Sequence, residues 1–325
     1  MRNTLPVLIV LFISVLYYAV VSALSIIPRR RDTRSSITLK SSTQGQDSLS
    51  LSVSRRRQII SSALVATCNI LSPQFSNAAI RDPKKTGILL PTKEEIETSI
   101  PTIYDDDENP MNGDIKTSFA RLDSTPDTIF YQEPRFVEHV DEQAVKSMTS
   151  YISDTFLQSG DSVLDLCSSW TSHIRPDIQL QRVAGLGMND KELEANKALT
   201  EWTVMDLNAD KNVKLPYEDD SFDKIILQLS IDYLIHPLEV MKESSRVLKK
   251  GGKIAILFSN RLFLSKAVGL WSGKDDVDHA YTVGSYLFFS KGGFTDIKAT
   301  DLSTRKGKDG IIIGDPLYVV TATKS

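Results

Sequence analysis

From residue 161 onward, apolar residues come in short continuous runs, and between the runs lie polar turns and stretches with helical spacing. Ser162-Val163-Leu164-Asp165-Leu166 is an apolar run interrupted by a single carboxylate and followed at once by Cys167-Ser168-Ser169-Trp170-Thr171. A buried parallel strand that ends in a tight loop reads this way. Further strands are expected at residues 182–186, 202–205, 222–229, 253–259, 294–301 and 316–323, the last two joined by a Gly/Lys-rich loop at 304–310. Asp141 can cap a helix running to Gln158, with Val145, Met148, Tyr151, Ile152 and Phe156 on one face and Gly160 stopping it. Asn189 can cap a helix over 190–198. Pro237 suits the first turn of a helix that carries Leu238, Met241 and Val247 inward and ends in Lys249-Lys250-Gly251-Gly252. Two more helical stretches are expected at 262–271 and 278–290. Strands alternating with helices imply a parallel sheet covered on both faces. In such a sheet the ligand lies beyond the carboxyl ends of the strands, where strand order reverses, so residues 165–171 are the expected floor of a site. That loop holds no glycine.

The first half of the chain has a different texture. Residues 80–124 mix Pro, Asp and Lys without a sustained period and read as an irregular arm. Phe130-Tyr131-Gln132-Glu133-Pro134-Arg135-Phe136 is aromatic; it covers one rim of the site or packs the arm on the core. Residues 1–80 carry nine Lys and Arg against two Asp and Glu, whereas residues 81–325 carry 29 against 39. An acidic body argues against nonspecific nucleic-acid binding, which needs cations to neutralise phosphates. The basic leader divides in two. Residues 1–27 read as a signal peptide with a small-residue cleavage pattern ending at Ala23; a membrane anchor is the alternative. Residues 28–79 are rich in Arg and Ser, then place Arg55-Arg56-Arg57 before a second apolar stretch ending at Ser76-Asn77-Ala78. A transit peptide followed by a twin-arginine signal for the thylakoid lumen of a plastid reads so; a secreted protein with a basic linker is the alternative. With the leader removed, no stable membrane span is expected. Two cysteines, Cys68 and Cys167, exclude a disulfide framework.

Residues 161–325 resemble class I S-adenosylmethionine-dependent methyltransferases, in particular the type 11 group. Val163-Leu164-Asp165-Leu166 looks like the start of that family's first motif. Leu215-Pro216-Tyr217-Glu218-Asp219-Asp220-Ser221-Phe222-Asp223 looks like its loop before the fourth strand, and Glu243-Ser244-Ser245-Arg246-Val247-Leu248-Lys249-Lys250-Gly251-Gly252 like its turn before the fifth. The resemblance implies a Rossmann-like α/β fold, a seven-stranded mostly parallel sheet with one antiparallel strand near the C-terminus. It implies S-adenosylmethionine held by Asp165, Leu166, Cys167, Ser168, Ser169, Gly187, Asn189, Asp206, Leu207 and Gln228. It implies an acceptor site at Ser230, Asp232 and Tyr233 and at Ser259, Asn260 and Arg261. Cys167, Ser169 and Thr171 stand where the family has three glycines, with Trp170 between the last two. Gly187 stands where it has the carboxylate that holds the ribose, and Asn189 is the nearby polar residue. Asp206 stands where it meets the adenine amino group.

Methyl transfer from a sulfonium needs little acid–base help, because alignment supplies much of the rate. An acceptor with a poor nucleophile wants a base near pKa 7. Among the histidines, His139, His173, His236 and His279, the second and third follow strands at the right sheet edge. Arg261 holds an anionic substrate or forms a surface ion pair. Cys167 is a nucleophile or a small buried residue. No spacing of Cys, His, Asp and Glu suggests a metal site. The reading is a methyltransferase acting on a small molecule in a plastid, against a methyltransferase-like protein that has lost catalysis and serves as a binding or assembly factor, its protein partners unspecified. A nicotinamide dehydrogenase would need a glycine-rich first turn and an acid after the second strand, and neither is present.

Overall fold

The computed structural model describes residues 80–81, 89–307 and 310–325, all within the unit Gln74–Ser325. The leader expectations for residues 1–79 lie outside the described residues.

Seven strands form the sheet: β1 Ser162–Leu166, β2 Arg182–Gly187, β3 Glu201–Val204, β4 Phe222–Gln228, β5 Leu248–Phe258, β6 Phe294–Asp301 and β7 Tyr318–Lys324. Their order is β3-β2-β1-β4-β5-β7-β6, and β7 runs antiparallel to both its neighbours. The chain builds outward from β1 to β3 and then returns to β4 beside β1. Strand order therefore reverses between β1 and β4, and a crevice opens beyond their carboxyl ends. The side-chain period of two sorts the apolar runs onto two faces. Leu164, Leu166, Ile225, Leu227, Ile254 and Ile256 enter one buried cluster. Val163, Ile226, Ala255, Leu257 and Val319 enter the other.

Helix α1, Glu142–Ser150, covers the second face and continues as one wide turn, Tyr151–Phe156. Asp141 caps it by accepting from the Ala144 amide, and Ala144, Met148, Ile152 and Phe156 are buried along it. Helix α2, Asp190–Ala195, is capped by Asn189 as its sequence predicts, but ends three residues early. Helix α3, Pro237–Val247, buries Val240, Met241 and Val247 against the first cluster, with Leu238 only partly covered. Its Arg246 gives hydrogen bonds to Glu243, Asp219 and the carbonyls of Leu215 and Tyr217. Glu243 in turn accepts from the Leu215 amide at 2.9 Å. The two longest family-like motifs are thus one clip that fixes the approach to β4. Helix α4, Asp276–Phe289, completes the layer on that face.

Three sequence expectations are corrected. Lys249 and Lys250 do not close α3; they lie in β5, where Lys249 pairs with Asp223 of β4 at 2.8 Å and the strand register shifts near left-handed Gly251. Residues 262–271 form turns rather than a helix, because the N–H groups of Val268, Gly269 and Leu270 bond to the carbonyls of Asp232, Ala120 and Ser118 instead of to their own segment. The arm is ordered on the core. Thr92 caps a short helix, Lys93–Glu97, in a capping box, and Ile96, Tyr104 and Phe119 are buried. Its anchors come singly rather than in a period, so no pattern announced them.

Candidate functional site

At the reversal between β1 and β4 lies a cavity of about 500 Å³, within the range of small-molecule and cofactor sites. Its floor is the loop after β1. Cys167 takes φ 59, the left-handed conformation that glycine adopts without penalty and that a side chain makes costly. The residue is half-buried in the cavity floor, and desolvation together with the carboxylates of Asp165, Asp232 and Asp206 pushes the thiol's pKa up to about 12. It is a protonated filler, not a nucleophile.

The loop is folded around Asp165. Ser168 Oγ and Ser172 Oγ each donate to Asp165 Oδ2 at 2.6 Å, and Gln228 Nε2 donates to Oδ1 at 3.2 Å. Burial still raises its pKa, against those hydrogen bonds. Two serines beside the glycine positions thus turn inward to solvate a carboxylate, while Ser169, at a glycine position, donates to Glu192. Trp170 does not plug the hollow: its Nε1 donates to the Val137 carbonyl at 3.2 Å, which ties the indole to the arm.

Gly187 ends β2 where a Cβ would overlap the Ser168 carbonyl oxygen, so the position needs a glycine for close packing. Asn189 does not replace the missing carboxylate. Its amide donates to the Tyr131 and Gln132 carbonyls, both at 2.9 Å, and its oxygen accepts from the Lys191 and Glu192 amides. The acid at this end of the cavity is Glu192, in the first turn of α2. It accepts from Ser169 Oγ and from the Arg135 amide, each at 2.6 Å, and keeps lone pairs for further donors. Asp206 and Leu207 lie on the same wall, and the Asp206 carboxylate accepts from the Asn208 amide at 2.8 Å.

The opposite end is built by the loops after β4 and β5 and by the arm. Ser230, Tyr233 and Arg261 line it, whereas Asn260 is buried off the cavity and Leu166 lies beneath the floor. Arg261 pairs with Asp315 at 2.6 Å, so the ion-pair alternative holds. Tyr233 OH accepts from the Phe263 amide at 2.8 Å. His173 joins Gln228 (Nδ1, 2.8 Å) to Glu138 (Nε2, 3.1 Å). Gln228 gives its amide hydrogens to Asp165 and the Ser172 carbonyl, so its oxygen faces His173 and Nδ1 must donate. Nε2 then points a proton at Glu138. Burial opposes the charged ring, but the hydrogen bonds to Glu138 and Gln228 outweigh it and raise the His173 pKa. His173 is a latch and not a base. His236 precedes α3 and does not line the cavity; His279 stacks on Trp271 with ring centres 4.1 Å apart.

Sequence reasoning missed most of the arm's share: Asp127, Arg135, Val137, Glu138 and His139 all line the cavity. Burial lowers the His139 pKa, and the Arg135 charge adds to it, so the ring is neutral. The aromatic stretch around Arg135 was the available signal, and two of its residues, Tyr131 and Arg135, line the cavity.

Residues 168–256 match the methyltransferase domain family. The matched stretch is similar to the class I S-adenosylmethionine-dependent methyltransferases. Curated relatives include the demethylmenaquinone methyltransferases of Bacillus cereus, 29% identical over 108 residues, and of Staphylococcus haemolyticus, 30% identical over 111. These stretches are 31% and 33% of this chain and 46% of each relative, so the chain spans about half the length of the curated relatives it matches. A solved methyltransferase from Thermotoga maritima, described as a possible histamine N-methyltransferase, is 15% identical and covers 56% of this chain and 90% of its own, with a TM-score of 0.40. So distant an overlap carries no functional argument.

The match to the methyltransferase domain family implies S-adenosylmethionine, and the residues present accommodate it. The floor keeps the left-handed turn at Cys167, Gly187 keeps the close approach of strand end to loop, and Glu192 and Asp206 put two carboxylates on the wall. Among the described residues no helix is long and apolar enough to cross a membrane.

Proposed function

We propose that this chain transfers a methyl group from S-adenosylmethionine to a small aromatic molecule in a plastid. The observation that carries this reading is the open cavity at the strand reversal, with Trp170 drawn aside by the Val137 carbonyl. Glu192, Asp206, Leu207, Gly187 and the 167–169 loop are the residues that would hold the cofactor, which supplies an already activated methyl group. The chain's own work is alignment and exclusion of water. His139, neutral and beside Phe263, takes the acceptor's proton where the acceptor needs one. An aromatic acceptor follows from the lining of that end, Tyr131, Tyr233 and Phe263, and agrees with the names of the quinone-modifying relatives.

The deciding measurement is calorimetric titration with S-adenosylmethionine and S-adenosylhomocysteine. Micromolar binding, weakened at least about tenfold by Asp206→Ala, is expected. One observation favours the second reading, a methyltransferase-like binding factor: the polar atoms of Asn189 and Asp165 are engaged within the protein. No binding at millimolar ligand selects that reading. The plastid address rests on residues 1–79. Import of a tagged leader into isolated algal plastids, with and without Arg55, Arg56 and Arg57 changed to Lys, tests it. Delivery to the lumen that is indifferent to those arginines removes the twin-arginine step.

A further inference from the structure

Arg121, Arg175, Arg182, Arg246, Arg261 and Arg305 each lie within 4.0 Å of a carboxylate. Arg135 has no such partner among the described residues, although it lines the cavity. Its guanidinium carbon sits 4.5 Å from the Phe130 ring centre, 5.3 Å from that of Phe263 and 5.8 Å from that of Tyr131. Nη2 donates to the Phe130 carbonyl at 3.1 Å, while Nη1 is buried and meets no acceptor. Three ring faces steady the charge by their quadrupoles but supply no counter-charge. A cation withdrawn from water with neither carboxylate nor full hydrogen bonding is costly unless a ligand completes it.

Other charges on this part of the wall are answered locally. Asp127 is held by Arg121 and Lys266, Glu138 by His173, and Arg261 by Asp315. Arg135 is the cation left over, on the face where aromatic side chains gather. A guanidinium is a planar fork matched to a carboxylate.

We propose that Arg135 pairs with the carboxylate of an aromatic acid, whose ring packs on Tyr131, Tyr233 and Phe263 as the methyl acceptor. The acceptor role rests on the methyltransferase reading; the binding of the acid does not.

The test titrates the full chain with benzoate and with benzamide, its uncharged isostere, in the wild type, Arg135→Gln and Arg135→Lys. A parallel arm titrates S-adenosylmethionine and its decarboxylated analogue. The wild type is expected to bind benzoate at least about tenfold more tightly than benzamide. Arg135→Gln should bring the two within about twofold of each other, with benzamide affinity and circular dichroism unchanged. Arg135→Lys, which keeps the charge, should keep part of the preference and covers the case in which Arg135→Gln does not fold. Equal affinities in the wild type, no benzoate binding up to about 10 mM, or a preference that survives Arg135→Gln overturns the proposal. It is overturned equally if Arg135→Gln spares benzoate but erases discrimination between the two sulfonium ligands, for the anion is then the cofactor's own. Preserved benzoate preference without any sulfonium binding sinks the methyltransferase reading and leaves the acid site standing.

Discussion

Cys167, His173 and Leu229 all hold left-handed backbones, and all three lie at the carboxyl edge of the sheet, around the cavity. Such conformations cost about 1–3 kcal/mol each in a residue with a side chain, and they persist where the surroundings over-determine them. At Cys167 a backbone geometry that suits glycine is kept while a thiol is added to the floor. With its pKa pushed up to about 12 by burial and by neighbouring carboxylates, that thiol is expected to resist alkylation. Iodoacetamide at pH 8 should label the Cys167 peptide at least about tenfold more slowly in the folded chain than in urea. Equal rates by mass spectrometry would mean an accessible thiolate. The loss of the glycines is plain in the sequence. The packing of the new loop is not, because Ser168 and Ser172, beside the glycine positions, act through Asp165, and only folding aims their hydroxyls at one carboxylate oxygen.

The decisive element is the arm. Asp127 is buried, and burial alone would raise its pKa; hydrogen bonds from Arg121, Asn208 and Lys266 outweigh this and lower it. Lys266 has no exposed surface and donates to the Thr125 carbonyl as well as to Asp127. Asp127→Ala leaves that ammonium and Arg121 without their shared carboxylate, and should cost roughly 3–5 kcal/mol in urea melts. A cost below about 1 kcal/mol would show that the network is incidental. The His173–Glu138 pair is the arm's second fastening. Its folded-state pKa lies above the ordinary 6.5, so its contribution is complete below that value and is lost as pH rises through the raised one. Hydrogen exchange in residues 131–139, corrected for intrinsic rate, should therefore quicken relative to the sheet as pH rises above about 6.5. Glu138→Gln should remove that dependence, and a profile unchanged by it would refute the latch.

At the scale of the molecule, a ligand that binds only the folded chain raises its stability by mass action. S-adenosylhomocysteine at about 100 times its dissociation constant adds roughly 2.7 kcal/mol, which for a domain of this size is a rise of about 5–11 °C in melting temperature. Asp206→Ala should lose most of that rise, and a wild type that melts unchanged has no such site. Strand runs and the Asn189 and Asp141 caps were legible because each depends on neighbours in the chain or on a repeating period, whereas the clip of Arg246 onto the 215–221 loop joins two motifs that the sequence shows only separately. The sheet class and the place of the site were legible too, since strand order limits where a crevice can open. The departures were not legible: the turns at 262–271, the ordering of the arm, Glu192 in place of Asn189, and Arg135 alone among aromatic rings. Those features arise where segments more than 50 residues apart compete for the same hydrogen bonds, as in the bond from the Arg135 amide to Glu192. Local pattern carries no record of that competition; only the packed chain resolves it.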